Sequence, residues 1–160
     1  MSAPWHLIEE KAEDAVMSAL LTEYGGTRSS TSGLISGGSF DGCYMFKGFD
    51  LMDIQLPFIG IVCDESEPAE SALATPTGNQ RVKVTLSFRS QHNDATRAAH
   101  SANAARIRDF CYASNLVTLL NAEGVTDFTA TYTYPDKATR GVDDGQMVTS
   151  IDLMISCKPS

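Results

Sequence analysis

Among its 160 residues the sequence has no Cys-x-x-Cys pair, no Asn-x-Ser/Thr acceptor, no G-x-x-x-x-G-K-[S/T] loop and no G-x-S-x-G elbow. No stretch approaches the roughly 20 apolar residues of a membrane-spanning helix. Trp5-His6-Leu7-Ile8 gives way at once to Glu9, Glu10 and Lys11, so no signal peptide is expected. The cysteines, Cys43, Cys63, Cys111 and Cys157, stand 20, 48 and 46 residues apart, which fits neither a zinc module nor a densely stapled secreted scaffold. A chain of this length builds a core without bridges, so reduced, partly buried thiols in a reducing compartment are expected. Bases are scarce too: 12 Lys+Arg face 20 Asp+Glu, for a net charge of −8. That field repels polyanions and argues against a dedicated nucleic-acid binder.

What is present is a globular composition, 42% hydrophobic and 20% charged, which excludes a disordered chain, a collagen-like polymer and a coiled-coil rod. The charge is unevenly placed. Residues 1–80 hold twelve acids and three bases, a balance of −9, whereas residues 81–160 hold eight acids and nine bases, a balance of +1. Two faces of unlike potential, able to meet head to tail between copies, are expected.

Pro4 suits a first helical turn, and Trp5, Ile8, Ala12, Ala15, Val16, Ala19 and Leu20 recur at helical steps as far as Tyr24, where Gly25-Gly26 ends the helix. Residues 25–50 are rich in glycine and serine without periodicity. They predict a long loop or arm, flexible alone or ordered by a partner, with at most a short strand at Cys43–Phe46. Leu56–Cys63 reads as a strand buried on both faces with Gly60 at a bulge, and 64–79 as an acidic, exposed connection. Arg81–Arg89 alternates, with Val82, Val84, Leu86 and Phe88 towards a core and a basic face opposite.

Asn93 or Asp94 caps a helix to about Ala113, whose Ala95, Ala98, Ala99, Ala102 and Ala105 predict close packing on a sheet before Ile107, Phe110 and Cys111 add bulk. Ser114 caps a second, short helix that Gly124 closes. Two half-buried strands follow. Val125–Tyr134 places Phe128, Ala130, Tyr132 and Tyr134 on one face, and Gln146–Cys157 places Met147, Ile151, Leu153, Ile155 and Cys157 on one face. Polar residues 135–145 between them carry the hairpin signal Asp143-Asp144-Gly145. The expected fold is a single α+β domain over residues 1–160: a mostly antiparallel sheet of four or more strands, with an N-terminal helix and a central Ala-rich helix packed on it.

Chemical constellations are few. Gly38-Ser39-Phe40-Asp41-Gly42 departs from the nucleophile elbow and follows no strand. His92, Asp94 and His100 lack the same-face spacing of zincin ligands, so Asp94 is expected to cap the helix and both histidines to lie on the surface. Glu65, Glu67, Glu70, Asp143 and Asp144 fall in polar loops, where carboxylates are exposed. Arg81, Lys83, Arg89, Arg97, Arg106 and Arg108 cluster without aromatics between them to stack bases, which predicts a solvated face or a contact with the acidic half of another copy. These eleven charged residues are the candidate subunit or partner interface. No catalytic, metal or cofactor role is assigned, and the chain is expected not to be an enzyme.

The layout is nevertheless specific. An N-terminal helix, the Leu56-Pro57-Phe58-Ile59 strand, Ser87-Phe88-Arg89-Ser90, an Ala-rich helix with Ala98-Ala99-His100 and Ile107-Arg108-Asp109-Phe110, and two closing strands span residues 5–157. This pattern resembles the tail terminator (tail completion) proteins of long-tailed bacteriophages. The resemblance implies a small subunit that forms a hexameric ring on the last ring of the tail tube, stops tube growth and presents the surface that joins the head or neck. It implies a place in the virion, at the head-tail junction, after assembly in the host cytoplasm. Its partners would be copies of itself, the tail tube protein and a neck or head-completion protein, with genomic DNA passing through the lumen unbound. An acidic chain suits such a conduit, and faces of unlike charge suit a heterologous ring contact. The loops at 25–50, 64–80 and 135–145 are the expected ring, tube and neck contacts. Competing readings are another head-tail connector or minor tail protein, an adaptor acting through the 25–50 arm, and a small ligand-binding or enzymatic α+β domain built around a cavity.

Overall fold

The computed structural model describes residues 8–50, 53–68 and 79–158. In chain order the elements are α1 (Ile8–Tyr24), β1 (Thr27–Arg28), β2 (Ile35–Ser36), β3 (Tyr44–Lys47), β4 (Phe58–Pro68), β5 (Gln80–Gln91), α2 (Asp94–Cys111), α3 (Leu116–Ala122), β6 (Thr129–Asp143) and β7 (Gln146–Lys158). Five strands form one sheet in the order β3-β4-β5-β7-β6, and β1 and β2 form a separate ribbon. The β3–β4 pair is parallel and the others are antiparallel. The architecture is therefore α+β with a mixed sheet. Helix α1 packs on β4 and β5, α2 on β5 and β7, and α3 on β6.

The alternation in β5 is realised in full. Val82, Val84, Leu86 and Phe88 are buried against the helices, while Arg81, Lys83, Thr85, Ser87 and Arg89 stand half-exposed on the other face. Ile59 and Ile61 of β4 and Ile151, Leu153, Ile155 and Cys157 of β7 extend the same core, which Ile8, Ala12, Val16 and Leu20 of α1 close from above. Each fully buried aliphatic or aromatic side chain contributes roughly 1.5–3 kcal/mol, so this layer dominates the stability. Pro4 and Trp5 lie outside the described residues, as do residues 69–78 of the expected acidic connection; residues 64–68 before them belong to β4.

Four local expectations are corrected. Residues 25–50 are folded rather than a loose arm, because left-handed glycines at Gly33, Gly37, Gly38 and Gly42 turn the chain tightly enough to bury Ile35, Phe40, Cys43 and Met45. The Tyr24 and Phe40 rings meet edge to face, 5.3 Å apart. The bulge in β4 lies between Cys63 and Glu65 rather than at Gly60, where a Cβ would meet the Phe46 ring at 2.8 Å. The polar 135–145 segment is mostly strand: β6 and β7 pair out to Asp143 and Gln146, joined by Asp144-Gly145 with left-handed φ of 51° and 71°, the two-residue turn that such a dipeptide favours. Tyr132 and Tyr134 leave the core face because a register shift between Ala130 and Tyr132 displaces them to the outer side, opposite Ser156 and Met154.

The alanines of α2 are the fifth correction. Asn93 caps the helix, its side chain accepting from the Thr96 amide at 3.0 Å, and Asp94 is the first helical residue. The buried face carries His100, Ile107, Phe110 and Cys111, whereas Ala95, Ala98, Ala99, Ala102 and Ala105 face outward. Asn115, without a side-chain cap bond, precedes α3 in place of Ser114.

Candidate functional site

The charged residues expected to face a partner are brought together first with one another, across the open face of the sheet. Glu65 sits opposite Lys83 and Glu67 opposite Arg81 in the β4–β5 register. Their ion pairs measure 2.9 and 3.3 Å, and Arg89 reaches Asp143 of the neighbouring hairpin at 3.3 Å. Cross-strand pairing of this kind stabilises register modestly. The bond from Glu65 raises the Lys83 ammonium above its ordinary pKa. Between these pairs, Thr85 donates to Asp152 at 2.9 Å and Ser87 meets Ser150 at 2.9 Å. Asp144 is spent on the turn, and Glu70 lies outside the described residues.

The helical bases divide differently. Arg106 donates to Asn103 at 2.6 Å, and its carbonyl accepts from the Tyr24 hydroxyl at 2.7 Å, which ties α1 to α2. Arg97 pairs with Asp94 within the first turn. Arg108 is exposed and lies with Arg97 along a cleft of about 440 Å³ between α2 and the β6–β7 hairpin. Across the cleft stands Arg140 of β6; Ala104, Val142 and Met147 also line it, Asp109 is the lining carboxylate among the described residues, and Asp94 stands close by, held by Arg97. Neither Arg108 nor Arg140 has a hydrogen bond or ion pair among the described residues.

His100 forms part of the cleft wall and is buried, against the surface position expected for it. Its Nδ1 lies 2.6 Å from the Ser90 hydroxyl and its Nε2 2.9 Å from the Thr149 hydroxyl. Burial lowers its pKa, so the neutral ring is favoured, locking α2 onto β5 and β7. Ser90, Arg140 and Thr149 were missed by sequence reasoning. One signal was available: the β5 alternation continues to a serine at a core position, which requires a buried polar partner.

Among the described residues no group of three or more His, Cys, Asp and Glu is gathered as metal ligands would be, and no helix is long and apolar enough to cross a membrane. The four cysteines are free and buried. Burial pushes Cys43 to about 11 and Cys63, Cys111 and Cys157 to about 12, values that hold them as unreactive thiols. Gly38–Gly42 forms a turn around Asp41, whose carboxylate accepts from the Gly37 amide at 2.6 Å, with the Ser39 side chain exposed. What the surface offers is charge, a basic cleft and an uncovered hairpin. No protein-family model matches the chain, and no curated protein matches it.

Proposed function

We propose that the chain is a structural subunit that caps the tail tube of a long-tailed bacteriophage as a ring of about six copies, ends tube elongation and offers the surface for head or neck joining. The observation that carries the reading is the bare end of the β6–β7 hairpin. Residues 136–145 are all exposed, and β6 has no strand on its outer edge among the described residues. A long strand edge left open in a soluble chain is an aggregation hazard unless a partner covers it, and assembly into a ring would do so. The α+β order of elements agrees with what the resemblance implies, and a net charge of −8 disfavours a grip on DNA passing through a ring.

Electron microscopy of tail tubes assembled with and without the protein tests this. Tubes of limited length bearing a ring at one end are the expected result. Tubes that elongate unchecked, with no protein at their ends, would overturn it. The basic cleft favours one second reading, a binding domain for a small anionic ligand, and a thermal shift of the free chain on titration with organic phosphates and carboxylates would support it.

A further inference from the structure

We infer that the cleft between α2 and the β6–β7 hairpin is the docking site for the acidic end of a second copy of this chain. The inference rests on the ring reading above and names the two surfaces that meet. Arg108 and Arg140 line the cleft together with Arg97, which holds Asp94, against one lining carboxylate among the described residues, Asp109. Most other bases are spent: Arg28, Lys47, Arg81, Lys83 and Arg89 each hold an ion pair within the chain. Arg108 and Arg140 thus present guanidinium forks that no described residue of the chain engages, a geometry suited to carboxylates.

The complementary surface lies at the opposite end of the sheet. There the first turn of α1 brings Glu9 and Glu10 beside the end of β4, where Ser66 bonds Glu9 and Asp64 is exposed. Glu10 and Asp64 are exposed and hold no ion pair among the described residues. Lys83, the partner of Glu65, marks the acidic end of β5, and His92, just past its other end, lines the cleft. Nine extended residues at about 3.3 Å each separate the two ends by about 30 Å. Unlike patches at opposite ends of one subunit make a heterologous, head-to-tail contact, which closes into a ring when the rotation per step allows.

Small residues of α2 remove bulk at the cleft, since Ala104 and exposed Ala105 line it and leave a neighbour's backbone room to approach. Exposed Val142, which lines the cleft from the hairpin, supplies apolar contact beside the charges. A nucleic-acid duplex is disfavoured as occupant, because the chain's net charge of −8 opposes it and the bases are gathered in a concavity rather than along a backbone track.

Sedimentation of the full chain in about 50 mM and about 500 mM salt tests the pairing, since screening weakens contacts between exposed charges. Arg108→Glu with Arg140→Glu, and separately Glu10→Lys with Asp64→Lys, should each weaken self-association at least about tenfold, and an equimolar mixture of the two should restore it. Lys158→Glu with Ser30→Glu and Thr126→Glu makes the same change in net charge away from the cleft and the hairpin and should leave association intact. Circular dichroism establishes that each variant is folded. A ring that persists in the folded Arg108→Glu/Arg140→Glu protein would overturn the inference and leave the ring reading standing. Salt-sensitive dimers or open chains that obey the charge swap would support the inference and sink the ring. Equal loss in the Ser30/Thr126/Lys158 control, binding of short duplex DNA in place of a second copy, or no self-association in either salt would also overturn it.

Discussion

The Glu13 carboxylate accepts a hydrogen bond from the Cys63 amide at 2.8 Å, fifty positions along the chain and inside the core. Strand β3 pairs with β4 only as far as Lys47 opposite Ile61, after which the Gly48 amide donates to the Ile61 carbonyl. The next amide on that side of β4 belongs to Cys63, and among the described residues no backbone carbonyl receives it. Glu13 supplies the acceptor from α1, so an acid at a core position of the helix completes the ladder where the strand runs out.

Burial raises the Glu13 pKa above 4.5, with its bond to Cys63 opposing the shift. A folded-state pKa above the unfolded value means that the stability tied to the protonated acid is present at low pH and lost as pH rises from 4.5 through the folded value. Glu13→Gln keeps an acceptor for Cys63 and removes the ionisation. It should flatten that decline in urea unfolding measured between pH 4.5 and 7, while Glu13→Ala should cost about 1–3 kcal/mol by stranding a buried amide. Equal pH profiles for wild type and Glu13→Gln would refute the assignment.

Gly48 is fixed by the same carboxylate. Its φ is +47°, and a Cβ there would stand 2.4 Å from Glu13 Oε1. Gly48→Ala should destabilise the fold by about 1–3 kcal/mol through backbone strain and displacement of the carboxylate. Part of that loss should vanish in a Glu13→Ala background, giving a measurable coupling in a double-mutant cycle. Strict additivity would show that the two residues do not meet.

His100 has the opposite sign. Its pKa is lowered from 6.5 by burial, so the unfolded chain takes up a proton first and stability falls as pH drops below 6.5 towards the folded value. His100→Gln, which can still bond Ser90 and Thr149, should remove this part of the acid loss. Tracking unfolding midpoints from pH 7.5 to 5 for both proteins decides it, and an unchanged acid limb in the variant would sink the claim.

Cys43, pushed to about 11, and Cys63, Cys111 and Cys157, pushed to about 12, should resist iodoacetamide at pH 8 in the native protein. All four should react once the chain is unfolded in denaturant, since reactivity follows thiolate content and access. Mass spectrometry after each treatment counts the adducts, and rapid native labelling would contradict the burial.

The legible parts of the fold were those with one dominant local signal. The β5 alternation, the Asp144-Gly145 turn and the apolar stripe of α1 from Ile8 to Leu20 each point one way, and each is realised. Helix α2 was misread because alanine is at home on either face. Its buried positions, His100, Ile107, Phe110 and Cys111, do follow helical spacing, but the histidine disguised the start of the stripe. Residues 25–50 were misread because four separated apolar anchors held by turns have no period. The cleft was only half legible: Arg97 and Arg108 stood out in sequence, but Arg140 joins them through the β6–β7 register, and that register depends on two shifts, at Ala130/Tyr132 and Pro135/Lys137, that no local pattern announces.

The start of β6 is guarded in a way the rest of its edge is not. Asn121 of α3 donates to the Ala130 carbonyl at 2.9 Å and accepts from the Ala130 amide at 2.8 Å, so one carboxamide stands in for a neighbouring strand. Beyond it no described strand pairs with the edge as far as the hairpin turn. Asn121→Ala should cost about 1–2 kcal/mol for the two bonds and speed hydrogen exchange at the Ala130 amide. Asn121→Asp, which keeps the acceptor and loses the donor, should fall between. Because an uncovered edge invites pairing between chains, Asn121→Ala should also aggregate sooner on heating. Unaltered exchange at Ala130 in the alanine variant would mean that the carboxamide does not close this edge.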